Sequence, residues 1–293
     1  LLACANFNFA LWAFENFVSF ENRQQAQLVS NQAIDEYQNN GVVLLRNMVS
    51  RQTIDELSIA LEENMKAPGI WANEYAANSQ QGRFFDDYVN WSRFDAYKTN
   101  ALEGVLPQIA LALMRKDTGH FFHEHVLVKE SGNNQVTPWH NDEPYYGVDS
   151  HDNVSLWVPL DPIPEKIALR AITGSHKWSK KFIPRKFKDQ TPYVLNADSY
   201  EPLPDSELLD RSSEINSFPA MPGDIVAFHF RTLHSAPATT THDGRRRVVS
   251  FRYTDSTAQW ATRPWKTSPP LDALSLQPGD LLIDDRFPVI RRN

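Results

Sequence analysis

The sequence predicts a mainly β fold with flanking helices, its strands closing into a sandwich or a barrel. From Gly119 onward, short apolar runs alternate with Gly, Pro, Asn and Asp, the punctuation of many brief strands. Helical spacing is confined to the stretch before residue 115. With 293 residues, 41% of them hydrophobic and 12% aromatic, the chain can fill a sizeable core, and all-β domains reach this length undivided. The expectation is a single domain over 26–293, its strand core at about 119–255, behind an N-terminal extension at 1–25.

In order along the chain, Leu1–Phe20 is rich in aromatics, but Asn6, Asn8, Glu15 and Asn16 interrupt the apolar run and no Lys or Arg precedes it. That fits neither a signal peptide nor a membrane span. A helix is predicted over 30–40, with Ala33, Ile34 and Tyr37 on one side and Gly41 at its end. Val42–Leu45 reads as a short buried strand giving lateral support. Ser50 opens a second helix, with apolar positions at Ile54, Leu57, Ile59, Leu61 and Met65, stopped by Pro68-Gly69. Residues 70–100 show no clean period. They read as surface loops with aromatic anchors, or as the lining of a pocket mouth where Arg83 and Arg93 meet an acidic substrate group. Leu102–Met114 is predicted helical. Strands follow near 120–129, 136–142, 154–160, 167–172, 225–230 and 246–253. Between them, 176–220 is a connection long enough to imply a functional loop.

A net charge of −7 and a pI near 5.7 speak against nucleic acid or an anionic membrane surface as partner. A small-molecule substrate is expected instead, with oligomeric state left open. Cys4 is the only cysteine, which excludes an internal disulfide and any multi-cysteine zinc or iron–sulfur site. It fits a reducing compartment, hence the cytoplasm.

The chemistry centres on Thr137-Pro138-Trp139-His140-Asn141-Asp142-Glu143-Pro144. In an extended segment, His140 and Asp142 point to the same face, and the flanking prolines suit a strand end. A third ligand is available at His234, after the turn Pro222-Gly223-Asp224 and the apolar run Ile225–Phe228. Two His and one carboxylate with other positions open is the arrangement of non-haem Fe(II) oxygenases. Arg245-Arg246-Arg247 begins a strand expected to return antiparallel beside 225–228, bringing one guanidinium near His234. Arg offers a planar fork for a carboxylate. His123-Glu124-His125 competes for a metal, as its two imidazoles also share a face. His176 reads as a loop-fixing residue.

Together these residues resemble the phytanoyl-CoA dioxygenase family of Fe(II)- and 2-oxoglutarate-dependent oxygenases, which also contains ectoine hydroxylase. That family carries a Trp- or Leu-His-Gln-Asp stretch, a Trp on the next strand, a Gly-Ser-His turn, a Gly-Asp strand leading to a second His, and then an Arg. Here those are Trp139-His140-Asn141-Asp142, Trp157, Gly174-Ser175-His176, Gly223-Asp224, His234 and Arg246, within a resemblance spanning roughly 40 to 290. Departures are Asn141 for the usual Gln, Glu165-Lys166-Ile167-Ala168-Leu169 for Glu-Asn-Gly-Ala-Leu, and no Asn shortly after the second His. None removes a metal ligand.

The resemblance implies a double-stranded β-helix core, a cupin-like jelly roll. It implies Fe(II) held by His140, Asp142 and His234, and the 5-carboxylate of 2-oxoglutarate held by Arg246, with Trp157 lining the cosubstrate pocket. His125 edges that pocket, with Lys129 on the same face by period 2. The implied reaction consumes O2 and 2-oxoglutarate, releases succinate and CO2, and hydroxylates a small organic metabolite. In related halogenases a small residue replaces the carboxylate, so Asp142 favours oxygen transfer. The alternatives are a cupin-like metal enzyme without 2-oxoglutarate, or a catalytically silent binding module of the same fold.

Overall fold

The computed structural model describes residues 28–75, 82–187, 189–239, 244–271 and 275–293. The predicted extension at 1–25, with its aromatic stretch Leu1–Phe20, lies outside them. Residues Asn31–Asn293 form one compact unit.

Helices α1 (Asn31–Asn40) and α2 (Arg51–Lys66) flank strand β1 (Val42–Leu45). Then come β2 (Asn73–Glu74), β3 (Phe84–Tyr88), α3 (Asp95–Leu102), α4 (Val105–Met114), β4 (Thr118–Lys129) and β5 (Thr137–His140). Strands β6 (Val148–Asp149), β7 (Asn153–Pro159) and β8 (Leu169–Ile172) precede a short helix, α5 (Ser206–Leu209). The chain finishes with β9 (Ile215–Phe218), β10 (Ile225–Phe228), β11 (His234–Ala236), β12 (Arg246–Asp255), β13 (Gln259–Trp260) and β14 (Val289–Arg291).

The fold is mainly β and antiparallel. One sheet has eight strands in the order β1-β10-β7-β12-β4-β3-β2, with β14 also on β4; a second runs β5-β11-β8-β9; β13 and β6 form a small pair. Trp157, Phe228 and Val248 of the large sheet meet Leu169, Ala171 and Phe218 of the smaller one in a shared apolar core. The two sheets therefore pack face to face, as a jelly roll requires. On the other face of the large sheet, Phe121 packs against Phe251 and Tyr253, and the Tyr253 hydroxyl donates to the Ala101 carbonyl at 3.1 Å.

The helices follow the sequence signals closely. Ser50 caps α2, its Oγ accepting from the Thr53 amide at 3.1 Å. Ile54, Leu57 and Leu61 form its buried stripe, whereas Ile59 falls off that stripe and is 61% exposed.

Three expectations change. First, β12 does not lie beside β10; β7 separates them, so β12 runs parallel to β10. The intervening chain first forms β11 in the other sheet, and this crossing returns the strand two places over. Second, the 70–100 segment is not mainly surface loop, because β3 is buried along its whole length. Its run Phe84-Phe85-Asp86-Asp87-Tyr88 hid the strand because both faces are covered and each face buries an acid. Third, the strand predicted over 136–142 stops at His140. Asp142 has helical dihedrals (φ −75°, ψ −37°) at the head of a single 3-10 turn, Glu143–Tyr145.

Candidate active site

The two histidines are brought together by strand pairing. His140 on β5 and His234 on β11 are direct Cα partners in register, and their ring centroids lie 4.2 Å apart. Asp142 reaches the same point from the turn after β5. Its backbone amide donates to the Phe230 carbonyl at 2.7 Å, which ties the turn to the segment leading into β11. Asp142 Oδ1 then stands 3.7 Å from His140 Nε2 and 3.8 Å from His234 Nε2. Among the described residues these three form a group able to hold a metal ion, with one donor atom each within 4.8 Å of the others.

Hydrogen bonding fixes which atoms face that point. His140 Nδ1–H donates to the Pro138 carbonyl at 2.8 Å, and His234 Nδ1–H donates to the Thr232 carbonyl at 2.9 Å. Each ring therefore turns its Nε2 lone pair inward, the tautomer a metal needs. Burial, with the facing His234 ring, pulls the His140 imidazole down to about 3, and burial also lowers His234. Burial alone would raise the Asp142 carboxyl, but the Arg252 guanidinium and the two imidazoles hold it down to about 2. At neutral pH the set is two neutral imidazoles and one carboxylate, which fits a divalent first-row ion.

Asp142 Oδ2 is held from behind. Ser155 Oγ donates to it at 3.1 Å, and Arg252 Nε lies 3.6 Å away. Arg252 also donates through Nη2 to His125 Nδ1 at 3.3 Å. His125 must then carry its proton on Nε2, which donates to Asp86 Oδ2 at 3.1 Å. A chain of contacts thus runs from the metal-ligand carboxylate through Arg252 and His125 to Asp86.

The donors open onto a cavity whose wall follows the period of the strands. Phe84, Asp86 and Tyr88 face it from β3; His123, His125, Leu127 and Lys129 from β4; Arg246, Val248 and Arg252 from β12; and Trp157 from β7. Every metal and cosubstrate residue expected from the sequence lines it. Arg246 is 5% exposed and makes its hydrogen bonds to carbonyls only, at 2.5 Å to Ile167 and 3.4 Å to Pro237. Its register partner is Lys129, 2% exposed, which donates to the Gln135 carbonyl and the Thr137 hydroxyl at 2.7 and 2.9 Å. Burial lowers Arg246 to about 10; burial and the adjacent Arg246 charge lower Lys129. Neither side chain pairs with a carboxylate among the described residues. The neighbouring arginines are engaged elsewhere: Arg245 with Glu62 at 2.8 Å, and Arg247 with Asp161 at 2.7 Å and Glu62 at 3.0 Å.

His123 and His125 line the cavity but join no metal-binding group of three among the described residues. His176 sits apart from the triad and packs on Gly41, which has φ +73° and where any Cβ would meet His176 Nδ1 at 2.3 Å. Arg83 and Arg93 do not reach the cavity; Arg83 binds Glu74 at 2.8 Å, and Arg93 donates to the Ala67 carbonyl at 2.7 Å. Sequence reasoning missed Asp86, Tyr146, Ser155 and Arg252. Period 2 from Arg246 and Trp157 marks Arg252 and Ser155, but nothing in the sequence marks Asp86.

A profile of the phytanoyl-CoA dioxygenase (PhyH) family matches residues 37–248, more than half of the chain and including every residue of the triad. The chain belongs to the phytanoyl-CoA dioxygenase family. With the triad assembled, that membership makes it a non-haem iron oxygenase of the 2-oxoglutarate-dependent class. Solved structures share the PhyH-type fold. The non-haem α-ketoglutarate-dependent carbocyclase SnoK from nogalamycin biosynthesis is 22% identical, with a TM-score of 0.70 over 89% of this chain and 96% of its own. The epimerase SnoN from the same biosynthesis is 21% identical, with a TM-score of 0.67 over 89% and 96%. EctD from S. alaskensis, in its apo form, is 15% identical, with a TM-score of 0.63 over 87% and 90%. A search of curated protein sequences finds no match.

Proposed function

We propose that this enzyme hydroxylates a small organic metabolite, with Fe(II) on His140, Asp142 and His234 and 2-oxoglutarate as cosubstrate, releasing succinate and CO2. One observation carries the reading: a two-imidazole, one-carboxylate donor set opens onto the same cavity as a buried guanidinium and a buried lysine amine that have no carboxylate partner among the described residues. EctD structures are described with bound Fe and with 2-oxoglutarate and 5-hydroxyectoine, which supports the same cofactors here. SnoK and SnoN are described as a carbocyclase and an epimerase, so the fold also serves other oxidative outcomes. The retained carboxylate of Asp142 favours transfer of oxygen.

When bound, the ferrous ion supplies open coordination positions and redox chemistry for O2 and the 2-oxo acid. The chain's residues do the rest. Nε2 of His140, Nε2 of His234 and the Asp142 carboxylate would hold the ion without losing protons at neutral pH. Arg246 and Lys129 receive the far carboxylate of the 2-oxo acid, and Trp157 walls that side. Tyr145, Phe187 and Tyr193 cover the triad with aromatic surface and keep bulk water out.

The test is oxygen uptake and succinate release with candidate metabolites. The expected result is equimolar uptake and succinate, with one oxygen atom gained by the product. Turnover without succinate would point to a metal enzyme that uses no 2-oxo acid. Binding without turnover across a broad panel would point to a silent module. We further assign the catalytic domain to 26–293 and the enzyme to the cytoplasm, with no nucleic-acid or membrane partner. No helix among the described residues is long and apolar enough to cross a membrane.

A further inference from the structure

The cavity wall carries basic and acidic side chains. Arg246 and Lys129 supply the basic ones. The acidic one clear of the metal donors is Asp86, presented by β3 between Phe84 and Tyr88 on the same face. Its side chain is 3% exposed. One oxygen, Oδ2, accepts from His125; the other, Oδ1, is sealed from solvent and accepts no hydrogen bond among the described residues.

We propose that Asp86, with Tyr75, Tyr88 and Tyr193 beside it, determines substrate specificity, and that the substrate carries a basic nitrogen, protonated at neutral pH, that seats there. This rests on the proposed reading of the cavity as an oxidation site and adds the chemical class of what is oxidised.

The argument is one of unmet demand and sign. A buried acceptor with no donor is costly, and a carboxylate more so, so a wall that keeps one is built for a donor that arrives. No Lys or Arg forms an ion pair with Asp86 among the described residues. Burial lowers its partner His125, which is neutral at physiological pH. Arg252, which donates to the far nitrogen of His125, faces Asp142. Asp86 is therefore left without a cationic side chain paired to it among the described residues, and its Oδ1 is open to a donor that enters. Tyr75, Tyr88 and Tyr193 line the cavity with Asp86; burial foremost, and the Asp86 charge as a further cause, raises their phenols, and Tyr75 also hydrogen-bonds to Asp86. Aromatic faces beside a carboxylate favour an ammonium over a neutral hydroxyl. A substrate carboxylate is unwelcome beside Asp86.

The experiment is calorimetric titration of three matched probes, 2-phenylethylamine, 2-phenylethanol and 3-phenylpropanoate, into the full chain with and without Zn(II) and 2-oxoglutarate. Binding of 2-oxoglutarate is measured in the same samples; its loss counts against the proposed function, while the ranking of the probes scores this proposal. The amine is expected to bind at least about tenfold more tightly than the alcohol, with the acid weakest. Asp86→Asn should bring amine and alcohol to within about twofold and leave 2-oxoglutarate affinity within about threefold. Should Asp86→Asn not fold, Tyr193→Leu is the second variant; it removes a part-buried ring beside Asp86 and should weaken the amine more than the alcohol. Equal affinity of amine and alcohol, no binding of the amine at about 10 mM, or an undiminished preference for the amine in Asp86→Asn or, failing that, in Tyr193→Leu, would overturn the proposal.

Discussion

Three consecutive arginines divide by the parity of a strand. Arg246 turns into the cavity, while Arg245 and Arg247 turn to Glu62 and Asp161 on the opposite face. Under the proposed function, Arg246→Ala weakens 2-oxoglutarate binding about 30-fold or more, because loss of a buried charge partner costs roughly 2–5 kcal/mol. Arg246→Lys recovers part of it, a point charge being unable to make the planar double contact. Arg247→Ala leaves that Kd unchanged and instead lowers stability by about 1–2 kcal/mol, through its bidentate contact with Asp161. Titration and thermal melts of the three variants separate these roles. Asp142 calls for a gentler substitution than alanine. Asp142→Ala strands Arg252 in a buried site and is expected to destabilise the fold by about 3–5 kcal/mol. Asp142→Asn keeps the shape and a hydrogen-bond acceptor for Ser155, and is expected to abolish metal binding in calorimetry while still folding.

Elements carried by one strong pattern were legible in the sequence, and elements that need two sheets at once were not. The cap at Ser50 and the stripe of α2 are local, so they were readable. The companions of His140 were readable as well, since the resemblance supplied the second histidine and the arginine. The neighbours of β12 were not, because a crossing between sheets leaves no local trace. The strand β3 escaped because its buried acids satisfy demands that exist only in the folded state: Asp87 accepts from Asn64 and from the Gly69 amide, both at 2.7 Å, and Asp86 serves the cavity. That difference in anchoring predicts a difference in dynamics. Amides of β4 and β12, each paired on both sides, should exchange with solvent far more slowly than those of 178–187 and 189–204, stretches tied by isolated bridges. Hydrogen exchange followed by mass spectrometry checks this; equal protection would mean the connection is part of the rigid core.

The molecule as a whole keeps a set of imidazoles neutral, and this fixes the sign of its response to acid. Burial lowers His123, His125, His140 and His234 below their ordinary value. Below about pH 6.5 the unfolded chain takes up protons that the folded chain refuses, so stability is full at higher pH and is lost as pH falls. Each such group contributes up to about 1.4 kcal/mol per pH unit, and the His140 window extends to about pH 3. The metal-free protein should therefore melt at steadily lower temperature from pH 7 to pH 5. His123→Phe is the informative variant, since His123 sits among Phe122, Tyr88 and Tyr146 and its Nδ1 has no hydrogen-bond partner among the described residues. The variant should match or exceed the parent at pH 8 and show a shallower acid slope; an unchanged slope would mean that His123 is not among the groups titrating.

Each metal-facing ring is fastened to the carbonyl two residues earlier on its own segment, His140 to Pro138 and His234 to Thr232. The aim of both donors is thus written into short stretches of main chain and borrows nothing from the walls that greet a substrate. Walls that do not touch Asp142 can be exchanged with both imidazoles left pointing where they were, whereas Ser155 and Arg252 must stay to hold the carboxylate. For anyone wishing to redirect this protein toward another compound, the two imidazoles are a fixed socket, and the side chains clear of Asp142 are the replaceable fittings.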